Sequence, residues 1–125
     1  MPKTVFVVSA DADDRAWIES ALAHVVDAVV FLDDGPGVLA TMADSQGDCL
    51  VAFADEEGED EARALRLVRE LRAGGATVPV IVLGPHTAFR TAVNIARLEA
   101  TDFLVRPVSP RQLRAALQRA CQAAG

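Results

Sequence analysis

Apolar residues fall along this chain in short β-branched or aromatic runs, separated by longer stretches where they recur every three or four positions. Runs of the first kind predict strands, and stretches of the second kind predict amphipathic helices. Their alternation is the sequence form of a βα repeat. Five runs have strand character: "KTVFVVS" (3–9), "DAVVFL" (27–32), "CLVAFA" (49–54), "VPVIVLG" (78–84) and "TDFLV" (101–105). Most are apolar at consecutive positions, which predicts a central parallel sheet covered by helices on both faces.

Five helices are expected between and after these strands. The first begins near Asp13 or Asp14 and turns Trp17, Ile18, Ala21, Leu22 and Val25 to one side. A short second helix covers about 37–43, preceded by Gly35 and Pro36. The third, roughly 61–73, places Ala64, Leu65, Val68 and Leu71 inward and Arg63, Arg66, Arg69 and Arg72 towards solvent. Acids at its start and arginines towards its end suit the helix dipole, and Gly74 and Gly75 stop it. The fourth spans about 88–98 with Ala92, Ile95 and Ala96 inward. The fifth opens on "SPRQL", where Ser109 is a good N-cap and Pro110 fits the first helical position, followed by the stripe Leu113, Ala116, Leu117, Ala120 and Cys121.

A length of 125 residues fits one domain, 1–125. No apolar run approaches the ~20 residues that span a bilayer, and acids follow the first strand too soon for a secretory signal, so the expectation is a soluble, cytoplasmic chain with no membrane partner. Cys49 lies in an apolar run and Cys121 on a helix face, which predicts buried thiols and neither a disulfide nor a metal pair. A net charge of −6 argues against direct nucleic-acid binding, which needs a basic surface to neutralise phosphates. The charge is also polarised. Residues 1–62 carry Lys3 and Arg15 against fifteen acids, whereas 63–125 carry ten arginines against Glu70, Glu99 and Asp102.

The loop after the first strand, "VVSADADDR", contains no glycine, so the close backbone approach of a dinucleotide or P-loop site is missing. The stretches "TVFVVSADADDRAWIESAL", "DCLVAF" and "VPVIVLGPHTAFRTAVNIARLEATDFLVRPVSPRQLRAALQRA" resemble the receiver domain of bacterial two-component response regulators, closest to receivers of nitrogen-fixation and LuxR-type regulators. The resemblance covers essentially the whole chain and is strongest over 78–120. It implies a CheY-like, flavodoxin-like (βα)5 fold: a doubly wound, five-stranded parallel sheet of strand order 2-1-3-4-5.

Receivers accept a phosphoryl group on an aspartate at the end of strand three, with Mg²⁺ held by that aspartate and by an acidic pair after strand one. Mg²⁺ demands near-octahedral oxygen ligation and neutralises the charge of the transferring group. Carried over position by position, the resemblance puts the acidic pair on Ser9 and Ala10 and the acceptor on Phe53, none of which offers a carboxylate. The hydroxyl position at the end of strand four falls on Gly84, and the lysine that precedes proline after strand five falls on Arg106, followed by Pro107. Arginine keeps the charge but presents a planar fork in place of a point ammonium. The aromatic switch position is Phe103, which serves equally well as an ordinary core residue. The Arg106–Pro107 bond would be cis if the resemblance holds.

These departures point to a pseudo-receiver: a regulatory interaction module, not an enzyme, with no favoured cofactor, acting in signal transduction without phosphorylation. The alternative shifts strand three by two residues, which keeps its facing, and makes Asp55 the acceptor with Asp11 or Asp13 helping to hold Mg²⁺. A third reading has the vacated pocket, lined by Ser9, Phe53, Gly84 and Arg106, take a small anion or metabolite. In the family, partners and homodimers use the face of the fourth helix, fifth strand and fifth helix. Here that face would carry Arg90, Asn94, Arg97, Asp102, Arg111, Arg114 and Arg119, a basic set suited to an acidic partner, an output domain or the 55–61 loop of a second copy.

Overall fold

The computed structural model of the chain describes residues 4–8, 11–32, 49–53, 67–74, 78–84, 102–105 and 107–124, the last four by their backbone. Five short strands form one sheet: β1 (Thr4–Val8), β2 (Ala28–Leu32), β3 (Cys49–Phe53), β4 (Val80–Gly84) and β5 (Asp102–Val105). All neighbours pair in parallel, in the order β2-β1-β3-β4-β5. The expected α/β architecture and strand order are therefore present. The chain leaves β1 for β2 on one side and crosses back to β3 on the other, so the direction of winding reverses between β1 and β3.

The register accounts for which residues reach the core. Val5, Phe6, Val7 and Val8 of β1 stand opposite Cys49, Leu50, Val51 and Ala52 of β3. Leu50 to Phe53 in turn stand opposite Val80 to Leu83. Successive side chains on a strand point to opposite faces, so this alignment sorts the apolar runs into two layers. One layer joins Val5, Val7, Cys49, Val51, Ile81 and Leu83 to the first helix (Ala12–Leu22) and the C-terminal helix (Pro110–Ala124). The other joins Phe6, Leu50, Val80 and Val82 to Leu67, Val68 and Leu71 of the helical residues 67–73. The central strands are buried except at Thr4 and Val8 of β1 and Phe53 of β3, whereas the edge strands β2 and β5 are largely half-exposed.

The first helix starts slightly earlier than its apolar spacing suggests. Asp11 is its N-cap, with Oδ1 accepting the backbone N–H of Asp13 at 2.7 Å and of Asp14 at 3.3 Å, so helical residues begin at Ala12. Ile18, Ala21 and Leu22 are buried and Trp17 is half-buried, but Val25 lies beyond the helix in the following turn. That turn is made by His24, whose φ of 65° is the left-handed conformation in which side chains other than glycine's are strained.

At the C-terminal helix the expected start is realised. The Gln112 N–H donates to Ser109 Oγ at 3.1 Å, and the Ser109 N–H donates to Gln112 Oε1 at 2.8 Å. This reciprocal capping box satisfies donors that a helix N-terminus otherwise leaves open. Leu113, Ala116, Leu117 and Ala120 then bury completely. Each leucine contributes roughly 1.5–3 kcal/mol by leaving water. Cys49 is buried, as expected of a packed thiol, while the Cys121 side chain falls outside the described residues.

Some expectations lie outside the described residues: the second helix (37–43), the fourth (88–98) and the first turns of the third (61–66). Within 67–73, Val68 and Leu71 face the core as expected and Leu67 joins them, while Arg72 is half-buried, not directed fully to solvent. Among the described residues no helix is long and apolar enough to cross a membrane.

Candidate functional site

The C-terminal edge of a parallel sheet is where loops from several strands converge, and a switch in winding direction opens a crevice there. In this chain the edge is formed by Val8 of β1, Phe53 of β3, Gly84 of β4 and Val105 of β5. Phe53 stands opposite Leu83, Leu83 opposite Leu104, and Gly84 opposite Val105. The described strand ends are therefore apolar from side to side.

Phe53 is the last residue of β3. Its side chain is half-buried against the layer formed with the first and C-terminal helices. An aromatic ring in this place supplies packing and offers no oxygen to a metal or phosphoryl group. Gly84 is buried at the end of β4 and carries no side chain to donate a hydrogen bond. Phe103 is half-buried on the opposite layer with Val80 and Val82, in an ordinary core setting. Pro107 is exposed just beyond β5, while Ser9, Ala10, Asp55 and Arg106 lie outside the described residues.

Of the acids read as replacements for the missing carboxylates, Asp11 and Asp13 are among the described residues. Asp11 caps the first helix through Oδ1, and Asp13 is exposed on its first turn. Among the described residues no three His, Cys, Asp or Glu side chains gather as metal ligands. The described residues thus do not fit a Mg²⁺ site of the receiver kind, and no step through that ion follows from them.

Two features were not anticipated from the sequence. Asp14 is buried, with 8% of its surface exposed. It sits four residues before Ile18 on the stripe that the helix buries, so its spacing did carry the signal. The Arg15 guanidinium lies 5.2 Å from the centre of the Phe31 ring, a cation–π contact that ties the first helix to β2.

The basic face expected from the sequence is partly self-neutralised. Asp102 Oδ2 accepts a hydrogen bond from Arg119 at 2.7 Å, and Oδ1 accepts the Phe103 N–H at 2.9 Å. One carboxylate thereby latches the start of β5 to the C-terminal helix. Arg111 and Arg114 are exposed on the same helix, and Arg90, Asn94 and Arg97 lie outside the described residues.

Comparison with known proteins agrees with this architecture. No family model matches the chain. It is 28% identical over 116 residues to the DNA-binding transcriptional regulator NtrC of Salmonella typhimurium, a match covering 93% of this chain and 24% of the relative. To the transcriptional regulatory protein FixJ of Bradyrhizobium diazoefficiens it is 24% identical over 120 residues, covering 96% of this chain and 57% of the relative. The chain thus spans about a quarter to somewhat over half the length of these relatives. Among solved structures, the N-terminal part of FixJ superposes with a TM-score of 0.83 at 23% identity, covering 98% of this chain and 95% of that one. The receiver domain of the response regulator TorR gives 0.83 at 18% identity, covering 99% and 100%. The fold is that of response-regulator receivers.

Proposed function

We propose that this chain is a receiver module of a two-component response regulator that has lost phosphotransfer and acts by phosphorylation-independent protein–protein interaction. The observation that carries this reading is Phe53, half-buried in apolar company at the C-terminal end of β3, where a phosphoacceptor would have to present a carboxylate. Gly84 supports it from β4, since a buried glycine cannot supply the hydroxyl that registers a phosphoryl group. Ser9 and Ala10 support it from the sequence.

As a single domain, residues 1–125 would regulate an output in signal transduction, transcription being the first candidate because relatives such as NtrC and FixJ are transcriptional regulators of which the chain resembles one part. The partner would be an output domain, a separate protein or a second copy. The deciding experiment is intact-mass measurement after incubation with acetyl phosphate and Mg²⁺. The unmodified mass is expected. A stoichiometric gain of about 80 Da, one phosphoryl group, that disappears in Asp55→Asn would overturn the reading and restore Asp55 as an acceptor.

A further inference from the structure

The two edges of the sheet are unlike. β5 begins with Asp102, whose Oδ1 accepts the Phe103 N–H and whose Oδ2 pairs with Arg119, so this edge carries a charge and a side chain already engages one of its backbone donors. β2 is the opposite edge, with β1 as its one strand neighbour among the described residues. Its five residues are all apolar, as in β3, yet none of them is buried, and Val30 keeps 37% of its surface exposed. It has no charged residue and no proline, the features that commonly close an edge strand to further pairing. Among the described residues no hydrogen bond leaves its outer side, so a row of backbone donors and acceptors stands open at strand spacing.

Charge selects what can pair there. Asp27 is exposed immediately before β2, and Asp33 and Asp34 follow the strand in the sequence. Two copies joined edge to edge would bring these acids together: in an antiparallel pair centred on Val30, position 27 falls opposite position 33, aspartate against aspartate. A partner of opposite charge turns that repulsion into attraction. We propose that the outer edge of β2 takes an extended segment of a partner protein as a sixth strand, its centre made of β-forming residues and each end carrying lysine or arginine. Main-chain hydrogen bonds hold such a strand, and the acids at the ends of β2 select its basic flanks. Val29 and Phe31 pack with one core layer and Leu32 with the other, so alternate side chains of the added strand extend both apolar surfaces. This inference rests on the reading of the chain as an interaction module and gives that module's partner a chemistry.

The test is fluorescence anisotropy with the full chain at low salt, using a labelled peptide that has five alternating valines and threonines, the length of β2, between two terminal lysines. Saturable binding is expected, about tenfold weaker for the same peptide with glutamate ends and about threefold weaker in Asp27→Asn, as the loss of one exposed charge would give. Two further peptides carry N-methyl groups on alternate residues, one on the odd set and one on the even, which removes donors and keeps side chains. One set should abolish binding and the other retain it, since only alternate residues of a strand turn their N–H to a given neighbour. No binding by the wild type, equal effects of the two methylated sets, or equal binding of the glutamate-ended peptide would overturn the proposal. Concentration-dependent dimerisation in sedimentation that Val30→Lys abolishes would assign the edge to a second copy and overturn it as well. Intact mass measured on the same preparation keeps the two readings apart. An acetyl phosphate adduct with peptide binding retained defeats the phosphorylation-independent function alone, and an unmodified chain that ignores the peptide defeats only the added strand.

Discussion

Replacing Phe53 with aspartate puts a carboxylate where the receiver fold would use one, and it separates packing from chemistry. A fully buried phenylalanine cut back to a small side chain costs about 3–5 kcal/mol. Phe53 is only half-buried, which lowers that figure to roughly 2 kcal/mol. The new carboxylate would also sit at the end of β3, opposite Leu83, against that apolar layer. Partial desolvation of a polar group there adds about 1–2 kcal/mol. Urea unfolding of Phe53→Asp should therefore show a loss of about 3–4 kcal/mol relative to wild type, whereas Phe53→Leu, which stays apolar, should lose less than about 1.5 kcal/mol. Because the added carboxylate is ionised at neutral pH and its burial raises its folded-state pKa, the penalty should shrink as pH falls through that value. In the mass assay Phe53→Asp should still gain nothing from acetyl phosphate and Mg²⁺, since Ser9, Ala10 and Gly84 remain. Two results would refute this reasoning. Wild-type stability in Phe53→Asp would mean that the ring is not part of the core. A phosphoryl adduct in that variant would mean that the acceptor is the single missing part of an otherwise competent site.

Other substitutions probe the elements that position this edge. Ser109→Ala should remove the capping box at the C-terminal helix and cost about 1 kcal/mol in urea unfolding, with Gln112→Ala adding little on top because both bonds belong to one motif. His24→Gly should stabilise the chain by up to about 1 kcal/mol, as glycine relieves the left-handed strain, a gain readable as a raised Tm. A double-mutant cycle of Asp102→Asn and Arg119→Gln should give a coupling of only about 0.2–1 kcal/mol, falling as salt rises, because Arg119 is 59% exposed. Leu117→Ala should cost about 2–5 kcal/mol, since this side chain is fully buried between the sheet and the first helix.

The strands were legible because burial on both faces demands consecutive apolar residues, and "CLVAF" and "VIVLG" are short runs of that kind, the second rich in β-branched residues. Helix ends were legible where local chemistry sets them, as at Ser109 and Pro110, and less so at Asp11, whose capping role depends on where β1 releases the chain. The absence of a carboxylate at the end of strand three was also a sequence property, fixed by how "DCLVAF" aligns with the receiver pattern.

What the sequence by itself determined is the βα alternation, the apolar content of each strand and the polarity of charge between the two halves. Those follow from short-range rules of period, propensity and composition. The tertiary structure alone decided the register between neighbouring strands, that Phe53 stands level with Leu83 and Leu104, and that Asp102 finds Arg119 seventeen residues away. Pairings of that kind depend on how the chain closes its loops and packs helices on the sheet, and no local pattern encodes them. For this reason Arg119, read from the sequence as one of a mainly basic set that also held Asp102, proves to be the structural partner of that aspartate on β5.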